Sequence, residues 1–335
     1  MLQYLILILD DDSPSFCYHD NSTKANQTIS YYSLDNTIKF CLKNNLSLNV
    51  IYSNNSFPKE YYQLLNKVNH TKIVPWGYRY TDNNSIVVLD KNSLNELKKQ
   101  SANNLIFRIK RADLSLLANY IQRLIGHFKR LNIVFSDLEN FTNNDCTILE
   151  EQLVILEPIL VNSLNKEVIE INLLTDRWLL NSMNNCDAGL KHLTVAPNGK
   201  FYICPAFYYT TPSESIGDID LGYQIKNQHL LDFDHSPICR HCDSFHCKRC
   251  VFLNKLTTLE VNIPSSQQCV VSHTERKFSK QILDNLNSLS NRFSHLPQIK
   301  EIDYNDPLQL LLKIQDNSFL NIRTWNKTQL IQKNS

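Results

Sequence analysis

Seven of the ten cysteines fall between Cys186 and Cys269, and four of them crowd the stretch "ICRHCDSFHCKRC" as Cys239-x2-Cys242-x4-Cys247-x2-Cys250. No other feature constrains the fold as much, because thiols at this density must end in metal sites or disulfides. Thiolates bind soft metals and iron–sulfur clusters, and a reducing compartment favours metal over disulfides. The N-terminus bears on the compartment. "MLQYLILILDDD" has no basic start, its apolar run stops at Leu9, and three aspartates follow. That is neither a signal peptide nor the roughly 20 apolar residues of a membrane span. A buried strand and a cytoplasmic location are expected. The formal net charge of +1 leaves no electrostatic footprint for nucleic acid or an anionic membrane.

Cys186 is followed after twelve residues by Gly199, which stands shortly before Cys204. Four cysteines as close as those of the tight run rarely all grip one ion with good geometry. In two-cluster ferredoxins the last cysteine of such a run serves the other cluster. The same division here gives Cys239, Cys242 and Cys247 with Cys269 one metal group, and Cys250 joins Cys186 and Cys204 on another. A zinc ribbon or knuckle uses the same ligand type and remains the alternative. Arg240, His241, His246, Lys248 and Arg249 flank the thiols. They offset the negative charge of bound metal groups or form a solvated face.

This pattern resembles the SPASM domain, the C-terminal domain of many radical SAM enzymes that modify ribosomally made peptides. All seven cysteines and Gly199 match it over about a hundred residues, and the tight run is one residue shorter in two of its gaps than the usual family spacing. The resemblance implies two [4Fe–4S] clusters. Several members complete the first cluster with an extra cysteine just before the motif. Here that region, "DRWLLNSMNN", has none. Asp187, His192, a distant cysteine or a substrate thiolate are the candidates for the open position.

Residues 1–180 alternate apolar runs with helical patterns. Strands are expected at 4–9, 46–52, 71–76, 85–90, 104–109, 131–136 and 167–174. Helices are expected at 33–45, 115–130 and 145–162. This is the signature of a parallel sheet with helical crossovers, hence an α/β fold, an open or partial (β/α) barrel. A radical SAM enzyme carries C-x3-C-x2-C after its first strand. Here "LDDDSPSFCYHD" offers Cys17 alone, and no glycine precedes Gly77. The front half therefore resembles a degenerate radical SAM barrel that is not expected to cleave S-adenosylmethionine. The whole is similar to the CXXX repeat peptide maturase family, whose opening resembles "MLQYLILILDDDSPSFCYHDN". That resemblance implies maturation of a small cysteine-containing precursor peptide, alone or with a partner maturation protein.

The expected organisation is a degenerate barrel over 1–180, a SPASM-like iron–sulfur domain over 181–280 and a helical tail over 281–335. "LTVAPNGKFYIC" (193–204) reads as a β-hairpin, with Asn198-Gly199 in a type I′ turn. Sites in α/β folds form at strand ends. Asp10, Asp11, Asp12, Cys17 and His19 are thus the catalytic candidates, with Cys17 and His19 as a nucleophile and nearby base. The basic "RIKR" (108–111) is a candidate for binding an acidic leader peptide. A non-catalytic zinc-binding interaction module is the alternative function.

Overall fold

The computed structural model describes residues 2–21, 26–97 and 102–290, together with 293, 295 and 296. Most of the expected tail over 281–335 lies outside the described residues.

The seven expected strands form β1 (Tyr4–Ile8), β2 (Ser47–Ile51), β3 (His70–Pro75), β4 (Ile86–Leu89), β5 (Asn104–Ile109), β6 (Arg130–Phe135) and β7 (Glu170–Ile171). Each pairs in parallel with the next in chain order. Their near-continuous apolar character reflects burial on both faces. Helices α1 (Tyr31–Lys43), α2 (Lys59–Leu65), α3 (Leu117–Leu124), α4 (Asn143–Lys166) and α5 (Asp176–Leu179) lie between or after them. The start of α4 is fixed by a capping box in which Thr142 and Asp145 satisfy each other's backbone N–H groups. Helix α3 is shorter than its apolar pattern predicts. It stops before Gly126, whose φ of +84° is incompatible with a continuing helix.

On the other side of β1, β8 (His192–Val195) pairs in parallel, from Tyr4 opposite His192 to Leu7 opposite Val195. Beyond it β9 (Lys200–Tyr202), β10 (Gly217–Asp218) and β11 (Gly222–Tyr223) are antiparallel. The result is one eleven-stranded mixed sheet, ordered β11-β10-β9-β8-β1-β2-β3-β4-β5-β6-β7. Among the described residues no pairing joins its two edges. The sheet therefore runs straight across residue 180, and a cysteine-rich region begun at 181 shares it. Helices α6 (Pro205–Thr210), α7 (Val251–Thr258) and α8 (Ser266–Leu289) complete the described fold, with α8 packed along α4.

The β8–β9 hairpin forms, but its turn is not type I′. Of the two central residues only Gly199 has positive φ, at +75°. The Gly199 amide donates to the Ala196 carbonyl at 2.9 Å, and the Lys200 amide donates to Asn198 Oδ1 at 3.1 Å. Pro197 at the second turn position fixes φ near −65° and selects a type I turn, with glycine following in the left-handed region. No helix of the described residues is long and apolar enough to cross a membrane.

Candidate metal and peptide site

Register decides which side chains share a face of the sheet. Ile6 stands beside Asn49, Ile73 beside Ile86, and Ile106 beside Asn132. All of these border one cavity of about 460 Å³. Its other wall is built from the cysteine-rich region.

Five cysteines border that cavity: Cys17, Cys186, Cys204, Cys250 and, shared with a neighbouring cavity, Cys247. Cys17 is in the loop after β1 and Cys186 in the approach to β8. Cys204 and Cys250 are the N-cap residues of α6 and α7, and the Cys250 sulfur accepts from the Leu253 amide at 3.4 Å. Burial pushes the Cys186 thiol up to about 11. It raises Cys204 and Cys250 well above the ordinary range. The charges of Cys17 and Cys186 add to this at Cys204, and those of Cys17, Cys186 and Cys204 at Cys250. Such coupling marks Cys17, Cys186, Cys204 and Cys250 as neighbours.

Cys239, Cys242, Cys247 and Cys269 border a second cavity of about 20 Å³, and Cys247 borders both. Cys239 rises to about 11 through burial, against the pull of Arg249. Cys247 is raised by burial, and the charges of Cys239, Cys242 and Cys269 reinforce the rise. The Cys242 sulfur lies 3.5 Å from His273 Nε2. Among the described residues no three His, Cys, Asp or Glu side chains are gathered tightly enough to hold one bare metal ion.

One buried charge bears on whether the thiols suit a metal group. Arg249 is 1% exposed. It donates to Asn185 Oδ1 at 2.9 Å, to Ser236 Oγ at 2.7 Å and to the Leu231 carbonyl. All three acceptors are neutral. Burial lowers its hold on the proton, and the nearby Cys239, Asp187 and Cys186 raise it. A buried cation calls for anions close by, and metal-bound thiolates of both sets meet that need. The residues therefore fit thiolate-held metal groups. Of the five flanking basic residues, Arg249 and His246 are buried, whereas Arg240, His241 and Lys248 are exposed.

The catalytic candidates after β1 lie elsewhere, Cys17 excepted. Asp10 accepts from Ser53 Oγ at 2.6 Å, Asn55 Nδ2 at 2.9 Å and Ser13 Oγ at 3.1 Å. Asp11 accepts from the Tyr208 hydroxyl and the Gln27 amide, and Asp12 from Asn55. His19 stacks on Tyr209 with ring centroids 5.3 Å apart, and burial with the Arg108 charge drives it down to about 3. Neither His19 nor any of the three aspartates borders the larger cavity. In "RIKR", Arg108 and Lys110 pair with Asp20, and Arg111 pairs with Asp145. Two cavity residues, Glu275 and Gln268, carry no signal in the sequence. His246 Nε2 meets Glu275 Oε2 at 3.1 Å, and Gln268 is 2% exposed with its Oε1 unpartnered among the described residues. Gln268 and Glu275 lie on α8, a helix that carries only Cys269 of the cysteine pattern.

No protein-family profile matches the sequence, and no curated protein matches it. Solved structures do. One is described as native anSMEcpe with bound AdoMet and Cp18Cys peptide. It is 13% identical, with a TM-score of 0.58, over 86% of this chain and 99% of that one. Another is Streptococcus suis SuiB bound to S-adenosylmethionine, at 11% identity and a TM-score of 0.43, over 79% of this chain and 75% of that one. At 13% identity the likeness to the first is one of fold alone: a mixed α/β fold with a large sheet.

Proposed function

We propose that this chain takes part in maturing a ribosomally made, cysteine-containing precursor peptide. In this reading it is a degenerate radical SAM barrel with a SPASM-like region and two [4Fe–4S] clusters. Cys186, Cys204 and Cys250 hold the first, and Cys239, Cys242, Cys247 and Cys269 the second. The observation that carries the reading is the convergence of buried and half-buried cysteines on two adjacent cavities, the larger walled by one face of the sheet. When bound, such clusters supply electron transfer. The chain's own residues enclose a space of the size that takes a small ligand or a few peptide side chains. Gln268 and the His246–Glu275 pair offer it polar contacts. A peptide reported bound in anSMEcpe, which shares the fold, supports a peptide in this cavity. The loop after β1 carries Cys17 alone, so the chain is expected to act without cleaving S-adenosylmethionine, as the peptide-binding or redox component or as a maturase in its own right.

A second reading, a zinc-binding interaction module, draws on the size of the second cavity. Roughly 20 Å³ is closer to one ion than to a four-iron core. Zinc there would have to draw the thiols together, since among the described residues no three are gathered on one ion. Metal analysis of anaerobically purified protein separates the two. About eight irons and eight sulfides, with a brown band near 400 nm, are expected for two clusters. One or two zincs and no colour would leave the interaction module.

A further inference from the structure

We propose that Cys17 is the fourth thiolate of the Cys186/Cys204/Cys250 set, so that the loop after β1 closes the first cluster. This rests on the proposed reading that those thiols hold a cluster. Cys17 borders the same cavity as the other three, although at least 169 residues separate it from each of them in sequence.

The loop is built to hold it there. On its N-terminal side Asp11 is anchored to Tyr208 and to the Gln27 amide. On its C-terminal side Arg108 donates to the His19 carbonyl at 2.8 Å and to Asp20 at 2.7 Å. Within it Ser15 donates to the His19 carbonyl, and Asn21 to the Ser13 carbonyl. Cys17, which lines the cavity, is thus fixed between two anchors. Tyr208 lies in α6, the helix that Cys204 caps, so one anchor also sets the spacing between two of the four thiols.

Of the competing ligands, the Asp187 carboxylate is engaged by Lys191 Nζ at 2.6 Å and by Asn185 Nδ2. The His192 ring is held by stacking on Tyr4 at 4.8 Å, with Nε2 3.2 Å from the Cys186 carbonyl and 3.9 Å from the Cys186 sulfur. On ligation the Cys17 proton leaves to solvent and the thiolate sulfur donates its electron pair to iron. The cluster is then fully ligated by protein, and a substrate thiol meets no free iron.

The test compares anaerobically purified wild type, Cys17→Ser, Cys17→Ala and the control Cys41→Ser by iron and sulfide content and by EPR and Mössbauer spectra. Cys17→Ala is expected to lose about half the iron, and Cys17→Ser to lose it or to keep it with altered g values. Cys41→Ser is expected to match wild type. Cys17 variants with unchanged metal content and spectra, beside an iron-replete wild type, overturn this inference alone. A wild type without iron overturns it together with the proposed function. Should the variants not fold, alkylation of the wild-type holoprotein decides. Cys17 is expected to resist iodoacetamide until a chelator removes the iron, and then to react in step with Cys250 while Cys41 stays protected. A Cys17 labelled equally fast before and after removal overturns the inference.

Discussion

The hydroxyl of Tyr208 donates to the carboxylate of Asp11 at 2.6 Å, across 197 residues of sequence. Both groups are buried, so the bond forms away from competing water. It ties the loop after the first strand to the helix that begins at Cys204. Asp11 is thereby a structural acceptor, and the aspartate triplet serves the shape of the Cys17 loop.

Tyr208→Phe leaves a buried carboxylate short of one donor. A hydrogen bond to a charged group is worth about 2 kcal/mol, and a loss of that order is expected in urea unfolding. Cys17 should also alkylate faster in metal-stripped variant protein than in metal-stripped wild type. Equal rates would mean that the Arg108 anchor alone holds the loop.

Asp20 supplies the pH dependence of the other anchor. Burial opposes ionisation of its carboxylate, but the hydrogen bond and charge of Arg108 outweigh it and hold the group below the usual range. A depressed carboxylate contributes stability above its unfolded value, near 3.9, that is lost as pH falls through the folded one. The pair is half exposed on the Asp20 side, so the contribution is under about 1 kcal/mol. Asp20→Asn should unfold at lower denaturant than wild type at pH 7, and the two curves should converge in strong acid.

Arg249→Gln is expected to cost about 3 kcal/mol, because it breaks three buried hydrogen bonds and leaves acceptors unsatisfied. Metal removal discriminates further. Stripping wild type removes the thiolate charge beside a buried cation and leaves only the Asp187 and Asp232 carboxylates near it, whereas the variant has no cation to strand. The drop in Tm on chelation should therefore be larger for wild type. Equal drops would mean that Arg249 is balanced by something other than metal-bound thiolates.

Gly199→Ala should cost about 1–2 kcal/mol through left-handed strain. The new Cβ would also fall 2.9 Å from Ser33 Oγ on α1. Adding Ser33→Ala removes that contact but not the strain. If the double variant regained full stability by thermal unfolding, the backbone account would be wrong.

Much of the sheet was legible because buried parallel strands carry unbroken apolar runs. All seven expected runs became strands, though β7 kept only Glu170–Ile171 of the eight residues expected at 167–174. Spacing suggested two groups of thiols, and the fold places cysteines along two cavities that share Cys247. The type I turn was misjudged because Asn-Gly outweighed the proline just before it. The role of Asp11 was not legible, since its partner is 197 residues away and no local pattern marks a tyrosine that reaches a distant carboxylate. Gln268 and Glu275 were missed for the same reason: cavity-facing positions on a long helix look like ordinary helix surface until the fold closes over them.

The parallel pairing of β8 with β1 has a consequence for synthesis. Strand β1 is made well before its partner β8, and one of its edges waits until His192–Val195 arrives. Until then the nascent sheet carries an unpaired apolar border. A chain ended after residue 180 would keep that border permanently and should aggregate. The cysteine-rich segment therefore does not behave as an accessory appended to a finished domain: it supplies the strand that seals the rest.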